Sequence, residues 1–238
     1  MSTFELSDDG KASQRACIPE LPLVYPPAMK RLLIAASSAI AICSLPLWAA
    51  ETEPGFVSLF DGKTFSGWEK SIENPNTWSI EDGALVARGD RNHLYYMGHH
   101  APFKNFELKV DVMTEPGSNG GIYFHTKYQE KEWPKYGFET QVNNTHGDWK
   151  KTGSIYDVVN VKESASKDDQ WWTQHIIVNG DHVMVKVNDK VVADYTEPPG
   201  TQPGKDFTHK LAEGTFALQG HDPKSVIFYK NIRVKRLP

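Results

Sequence analysis

The sequence predicts an all-β chain folded as a two-sheet antiparallel β-sandwich, and three observations point there. From residue 55 onward, apolar and polar residues alternate with period two. No apolar stretch in that region keeps a helical period. Glycine, proline and Asn/Asp turns punctuate the runs at short intervals, with no fixed-length repeat and no low-complexity tract. Roughly a dozen such runs suit one sandwich domain, in which one face of each sheet packs on the core and the other meets water.

Each run has its own signature. Trp78-Ser79-Ile80 and Ala84-Leu85-Val86 flank Glu81-Asp82-Gly83, a hairpin turn. Phe106, Leu108, Val110 and Val112 alternate with Glu107, Lys109, Asp111 and Met113. In Gly121–Lys127, Ile122 and Phe124 oppose Tyr123 and His125. Trp172–Val178 and His182–Val187 surround Asn179-Gly180, the strongest short hairpin signal in the chain. Asn188-Asp189 turns the chain into Val191–Tyr195. Thr196–Lys205 reads as a loop, after which Thr215–Gln219 and Val226–Val234 complete the set around Asp222-Pro223.

The N-terminal region is of another kind. Met29-Lys30-Arg31 is a short positive run, Leu32–Leu47 is mostly apolar, and small residues at Ala49-Ala50 precede the polar Glu51-Thr52-Glu53. That order predicts a signal peptide over 29–50, cleaved after Ala49 or Ala50, and a secreted or periplasmic product. The apolar run falls short of the roughly 20 residues a spanning helix needs, so no stable membrane span is expected after cleavage. Residues 1–28 form a polar, proline-containing extension that places the signal far from the first residue, as a start site assigned upstream of the true one at Met29 would.

The expected mature chain is a single domain over 51–238. Both cysteines, Cys17 and Cys43, leave with residues 1–50, so stability rests on a packed core, for which this length suffices. Residues 1–50 hold four basic and four acidic residues, so the mature net charge stays at −4. No basic stripe is present, which argues against nucleic acid as a partner.

The candidate site begins with Tyr136–Asn144. As a strand it places Phe138, Thr140 and Val142 on one face and Glu139, Gln141 and Asn143 on the other. A polar outer face is ordinary in a sandwich. Here, however, it carries short hydrogen-bonding groups instead of lysines and threonines, and Trp133 and Trp149 stand in its flanking loops. Tyr123 and His125 are expected on one face of their strand, and Gln219 and His221 on one face of theirs, opposite Phe216 and Leu218. Amides, imidazoles and one carboxylate rimmed by indoles suit an oligosaccharide or glycoside, whose hydroxyls need paired donors and acceptors and whose apolar ring face stacks on an aromatic. Trp68, Trp78 and Trp172 read instead as core residues.

Ordinary glycoside hydrolysis needs two carboxylates flanking the bond. The alternate positions after Glu139 are amides, and Asp157, from another segment, is the one further candidate. A metal site could be built from His125, Glu139 and His221 across strands, but no ligand-spacing motif such as HExxH is present; His99-His100 is a loop pair, and adjacent residues are expected to point differently. No serine sits in a nucleophile elbow.

The motifs in order resemble the 3-keto-disaccharide hydrolase domain family. They are Phe56–Trp68 (FVSLFDGKTFSGW), Trp78–Leu85, Asn105–Leu108, Asn119–Ile122, Tyr136–Gln141, Gly153–Asp157, Ala217–His221 and Tyr229–Ile232. The resemblance covers residues 56–237 and implies a concanavalin A-like jelly roll that cleaves glycosides already oxidised at C3. Three positions depart from the usual pattern: Trp171-Trp172 where the family has Trp-Asn, Asn188-Asp189 where it has Asn-Gly, and His125 where it often has Arg. The implied chemistry fits a single carboxylate. A C3 ketone acidifies the C2 proton, one base removes it, the C1 substituent leaves by β-elimination, and water can add back. On this reading Glu139 is the base, or a ligand if a divalent metal ion stabilises the enolate. His125 and His221 are alternatives for either role, while Gln141, Gln219 and Tyr123 position hydroxyls. The competing class is a non-catalytic, lectin-like carbohydrate-binding module, since the same fold serves both. A surface adhesion protein is a third, favoured by the leader alone.

Overall fold

The computed structural model describes residues 53–238; the expectations for 1–28 and 29–50 lie outside the described residues. Thirteen strands are present, and one 3-10 turn at Pro75–Thr77 is the sole helical element among them. They are β1 (Val57–Ser58), β2 (Trp68–Lys70), β3 (Trp78–Glu81), β4 (Ala84–Arg88), β5 (Asn92–Tyr96), β6 (Phe106–Thr114), β7 (Gly120–Thr126), β8 (Phe138–Val142), β9 (Trp172–Asn179), β10 (His182–Val187), β11 (Lys190–Thr196), β12 (Thr215–Gly220) and β13 (Val226–Arg236). The larger sheet runs β11-β10-β9-β6-β13-β4-β3, with β1 also paired to β13; the smaller runs β2-β5-β12-β7-β8. Every paired ladder is antiparallel. Among the described residues no helix is long and apolar enough to cross a membrane.

The alternation in β6 appears as strict in-and-out burial along its nine residues. The core between the sheets is built from its inward residues, Phe106, Leu108, Val110 and Val112, with Ile176 and Val178 of β9, Leu218 of β12 and Ile122 and Phe124 of β7. Aromatic rings knit the two sheets: Phe103 stacks on Phe216 with centroids 4.5 Å apart, and Phe106 meets Phe216 edge-on at 4.9 Å. Trp68, Trp78 and Trp172 are buried, as expected. Two side chains of the larger sheet make polar links to the smaller: the Gln174 amide on β9 donates to the Thr140 hydroxyl on β8 at 3.0 Å, and the Tyr229 hydroxyl on β13 donates to the Gln219 backbone carbonyl on β12 at 3.2 Å.

The turns follow their chemistry. Asn188 and Asp189 both take positive φ, the backbone of a tight two-residue hairpin. In the preceding hairpin Asn179 pairs with His182, so the turn is Gly180-Asp181, one residue later than the Asn179-Gly180 signature suggests. Three strands escape the alternation reading, β1, β2 and β5. All five residues of β5 are buried, because one of its faces lies on the core and the other is covered by side chains of the site. With no wet side there is no period-two signal.

Replacing Phe216 by Ala removes the ring that Phe103 and Phe106 share. A loss of about 3–5 kcal/mol in unfolding free energy is expected in urea titration.

Candidate functional site

The site lies on the outer face of the smaller sheet. Glu139 on β8 is the cross-strand partner of Tyr123 on β7, and its side chain reaches across Gly121 toward β12. The Tyr123 hydroxyl donates to Glu139 Oε2 at 2.8 Å. The Gln219 amide donates to Glu139 Oε1 at 3.0 Å and to the Tyr123 hydroxyl oxygen at 2.9 Å. Gly121 makes this possible, since a Cβ there would overlap the Glu139 carboxyl. Gly137, at φ 73°, leads into the strand where a Cβ would overlap the Phe124 carbonyl.

The carboxyl faces a cavity of about 430 Å³. Part of the Glu139 side chain opens to it, while protein surrounds the rest. That loss of water raises the pKa to about 7, against the lowering effect of the Tyr123 and Gln219 hydrogen bonds; Asp148 raises it further and Lys150 lowers it. Burial and the neighbouring carboxylate hold Tyr123 well above its ordinary value, so it is a neutral donor.

Seven of the expected residues line this cavity: Glu139, Tyr123, Gln141, Gln219, His221, Trp133 and Asp157. Gln141 is buried and donates through its amide to Asn119 Oδ1 at 2.8 Å. His221 sits at the rim with Nδ1 bonded to Asp222 Oδ2 at 2.8 Å, and Asp222 is itself held by the Ser225 hydroxyl at 2.7 Å. Trp133 packs on His221 with centroids 5.1 Å apart. Asp157 forms an ion pair with Lys150 at 2.6 Å, and the Lys150 ammonium lies 3.7 Å from the centre of the Tyr156 ring.

Three expected residues are elsewhere. The β7–β12 ladder shifts register between Tyr123 and Thr126, and His125 takes a positive φ of 55° within that irregularity. The extra residue reverses the side-chain alternation and turns the imidazole into the core, against Phe106 and Phe124. Both its nitrogens are occupied by backbone: Nε2 bonds the Lys104 carbonyl at 2.8 Å, and the Ala212 N–H donates to Nδ1 at 3.3 Å. His125 therefore stands apart from Glu139. Asn143 lies beyond the end of β8, and its amide donates to the carbonyls of Asp148 and Lys150 at 2.9 and 2.8 Å, clasping that loop. The same clasp turns Trp149 outward between them, 53% exposed and away from the cavity. The set His125, Glu139 and His221 is thus not brought together. Among the described residues, no group of three or more His, Cys, Asp or Glu is arranged to hold a metal ion.

The cavity also uses residues that the alternation reading did not single out. Asn119 precedes β7, Tyr156 follows Glu139 across a backbone hydrogen bond of 2.9 Å, and Phe207 and His209 come from the loop before β12. Phe138, His209 and Phe207 form a near-parallel ladder with successive centroids 6.0 Å apart. Asn119 and Tyr156 stand inside quoted motifs. The loop residues carry no local signal, because their placement depends on where a long connection happens to pack.

The geometry can be set beside known proteins. The model of the 3-keto-alpha-glucoside-1,2-lyase-like domain matches residues 55–235. A 3-keto-disaccharide hydrolase from Bacteroides thetaiotaomicron is 28% identical, with 59% of this chain and 58% of that protein covered. The chain thus spans well under two thirds of that relative. Two Parabacteroides distasonis crystal structures, both provisionally described as glycosyl hydrolases, share the fold. One superposes with a TM-score of 0.65 at 22% identity, covering 77% of this chain and 94% of the other. The second gives 0.60 at 27% identity, with 76% and 99% covered.

Two outcomes follow from the burial of Glu139. Its folded pKa exceeds the unfolded value, so the neutral carboxyl's contribution to stability is complete below about 4.5 and is lost as pH rises through about 7. Glu139→Gln should therefore gain on the wild type, by about 1–3 kcal/mol between pH 4.5 and 8.5 in denaturant titrations run in parallel. Gly121→Ala should push the carboxyl out toward water and bring its pKa down toward the ordinary carboxylate range, read from a ¹³C-carboxyl NMR titration.

Proposed function

The chain belongs to the 3-keto-alpha-glucoside-1,2-lyase-like domain family, and from that premise we propose that it cleaves 3-keto-glycosides by removing the C2 proton and expelling the C1 substituent. The observation that carries this reading is the Glu139 carboxyl, its pKa raised to about 7, in a sugar-sized cavity whose other acid, Asp157, is ion-paired to Lys150. A base of that strength is matched to neutral pH, where an exposed glutamate would be too weak. No second carboxylate shares its strand face, which suits elimination better than double displacement or inversion.

Each step has a residue. Ionised Glu139, held by Tyr123 and Gln219, takes the C2 proton; the C2–H electron pair moves into the C2–C3 bond and the carbonyl π pair onto O3. Collapse of that enolate restores the C3 carbonyl, forms the C1–C2 double bond and breaks the C1–O bond. His221, oriented by Asp222, delivers a proton to the departing oxygen. Two groups on the cavity wall can donate to the O3 oxyanion. One is Tyr156, kept neutral by burial and bonded to Asp148 only at 3.3 Å; the other is the Asn119 amide, oriented through its Oδ1 by Gln141. Water adding to C1, with the proton returned to C2, completes a hydrolysis; release of the unsaturated sugar completes a lyase reaction. No step is routed through a metal ion, because the donors do not converge on one. Export through the 29–50 leader belongs to the same reading.

Incubating the 51–238 fragment with a panel of 3-keto-glycosides should release the aglycone. Glu139→Gln should lower kcat about 10²–10⁴-fold while keeping most affinity. Wild-type kcat/KM should rise with pH through about 7 as Glu139 ionises. Binding without turnover by the wild type would favour the lectin-like alternative.

A further inference from the structure

Two cavities meet at Trp133. The first holds Glu139; the second, of about 300 Å³, is bounded by Trp133 and Phe207 and rimmed by Arg91, Lys135 and Lys205. Behind the indole lies His93 on β5. It is 0% exposed, and Trp133 and Tyr123 each meet its ring edge-on at 5.6 Å. Neither ring nitrogen of His93 has a hydrogen-bond partner, and neither has Oε1 of Gln219, its cross-strand neighbour. Buried polar atoms are normally paired, so each unpaired one calls for an explanation.

The cover over this cluster is a side chain. The Trp133 indole is held by ring contacts, to His93, to His221 and to the Arg91 guanidinium at 5.0 Å, while its backbone is fixed by Gln129 Nε2 donating to its carbonyl at 2.8 Å. Trp133 belongs to the connection between β7 and β8, which contains no strand. Displacing that indole would open the buried His93 ring to the second cavity, which Trp133 lines.

We propose that Trp133 is a movable wall, that its displacement joins the two cavities into one elongated site, and that His93 and the Gln219 carbonyl then bind hydroxyls of a second sugar, the leaving group of a 3-keto-disaccharide. The proposal rests on the reading of the Glu139 cavity given above. Several features select a sugar. Burial keeps His93 neutral, so one nitrogen donates while the other accepts, as a hydroxyl requires. Trp133 and the exposed ring of Phe207 offer stacking faces, and the rim is polar and of mixed charge, with Glu132 and Asp206 beside Arg91, Lys135 and Lys205.

The test has two arms. In the first, ¹⁵N-edited NMR of the wild-type protein follows the His93 ring, assigned through His93→Asn and His93→Phe, during titration with unoxidised trehalose, sucrose or maltose and with methyl α-glucoside. At least one disaccharide should shift the His93 ring nitrogens and methyl α-glucoside should not; no shift with any disaccharide overturns the proposal. In the second, His93→Phe should lower kcat/KM about tenfold for a 3-keto-disaccharide, through KM, and leave methyl 3-keto-α-glucoside nearly unchanged. Equal losses on both substrates, or none on either, also overturn it. If the wild type turns over neither 3-keto-glycoside, the proposed reaction fails, and the NMR arm alone decides whether His93 contacts a disaccharide.

Discussion

Much depends on one act of desolvation: the carboxyl of Glu139 laid across Gly121, between the Tyr123 hydroxyl and the Gln219 amide. A carboxylate in water is a poor base at neutral pH, because solvent stabilises its charge. Removing part of that solvent raises its proton affinity, and two donors keep it in place without cancelling the effect. The arrangement needs a glycine on one strand, a tyrosine two residues along it, and an amide on the next strand. Each is supplied by a neighbouring position of a single sheet, so the ladder hydrogen bonds of β12, β7 and β8 fix the distances.

The sandwich meets the cost of that destabilised group. Its core is continuous from β6 and β9 of the larger sheet to β7 and β12 of the smaller, and a cluster of phenylalanines at Phe103, Phe106 and Phe216 locks the sheets together. The inner face of the smaller sheet is therefore rigid, and its outer face inherits that rigidity. The walls of the cavity come from connections: Trp133 before β8, Tyr156 and Asp157 after it, and Phe207 and His209 before β12. A stiff floor with loop-built walls fixes the Glu139 carboxyl while leaving the shape of the cavity to the connecting segments.

The fold was legible because most of its strands have one dry face and one wet face. β6, β10 and the hairpin around Asn188-Asp189 show that pattern openly. β5 shows none, because both of its faces are covered, and with it His93 and Tyr95 passed unmarked. The site was legible at Glu139, Gln141, Tyr123, Gln219 and His221 for the same reason: regular alternation places them on the outer face. It failed at His125, where one extra residue in the strand reverses the alternation. It failed too at Asn143 and Trp149, where a side chain that looked free for a ligand is bonded to its own loop, and an indole that looked like a stacking platform is turned to solvent.

Taken alone, the order of residues determined the sandwich class, the pairing of most hairpins, the burial of Trp68, Trp78 and Trp172, and the one strand face on which a single acid stands among amides. These are local properties, set by periods of two and by turn residues. The tertiary structure decided which outer-face groups converge, that Glu139 is deprived of water, that His125 points inward, and that His93 lies covered beside Gln219. Those outcomes depend on register between strands far apart in sequence and on how long connections fold over the sheet. No window of neighbouring residues encodes them, because desolvation is a property of everything that surrounds a group and not of the group itself.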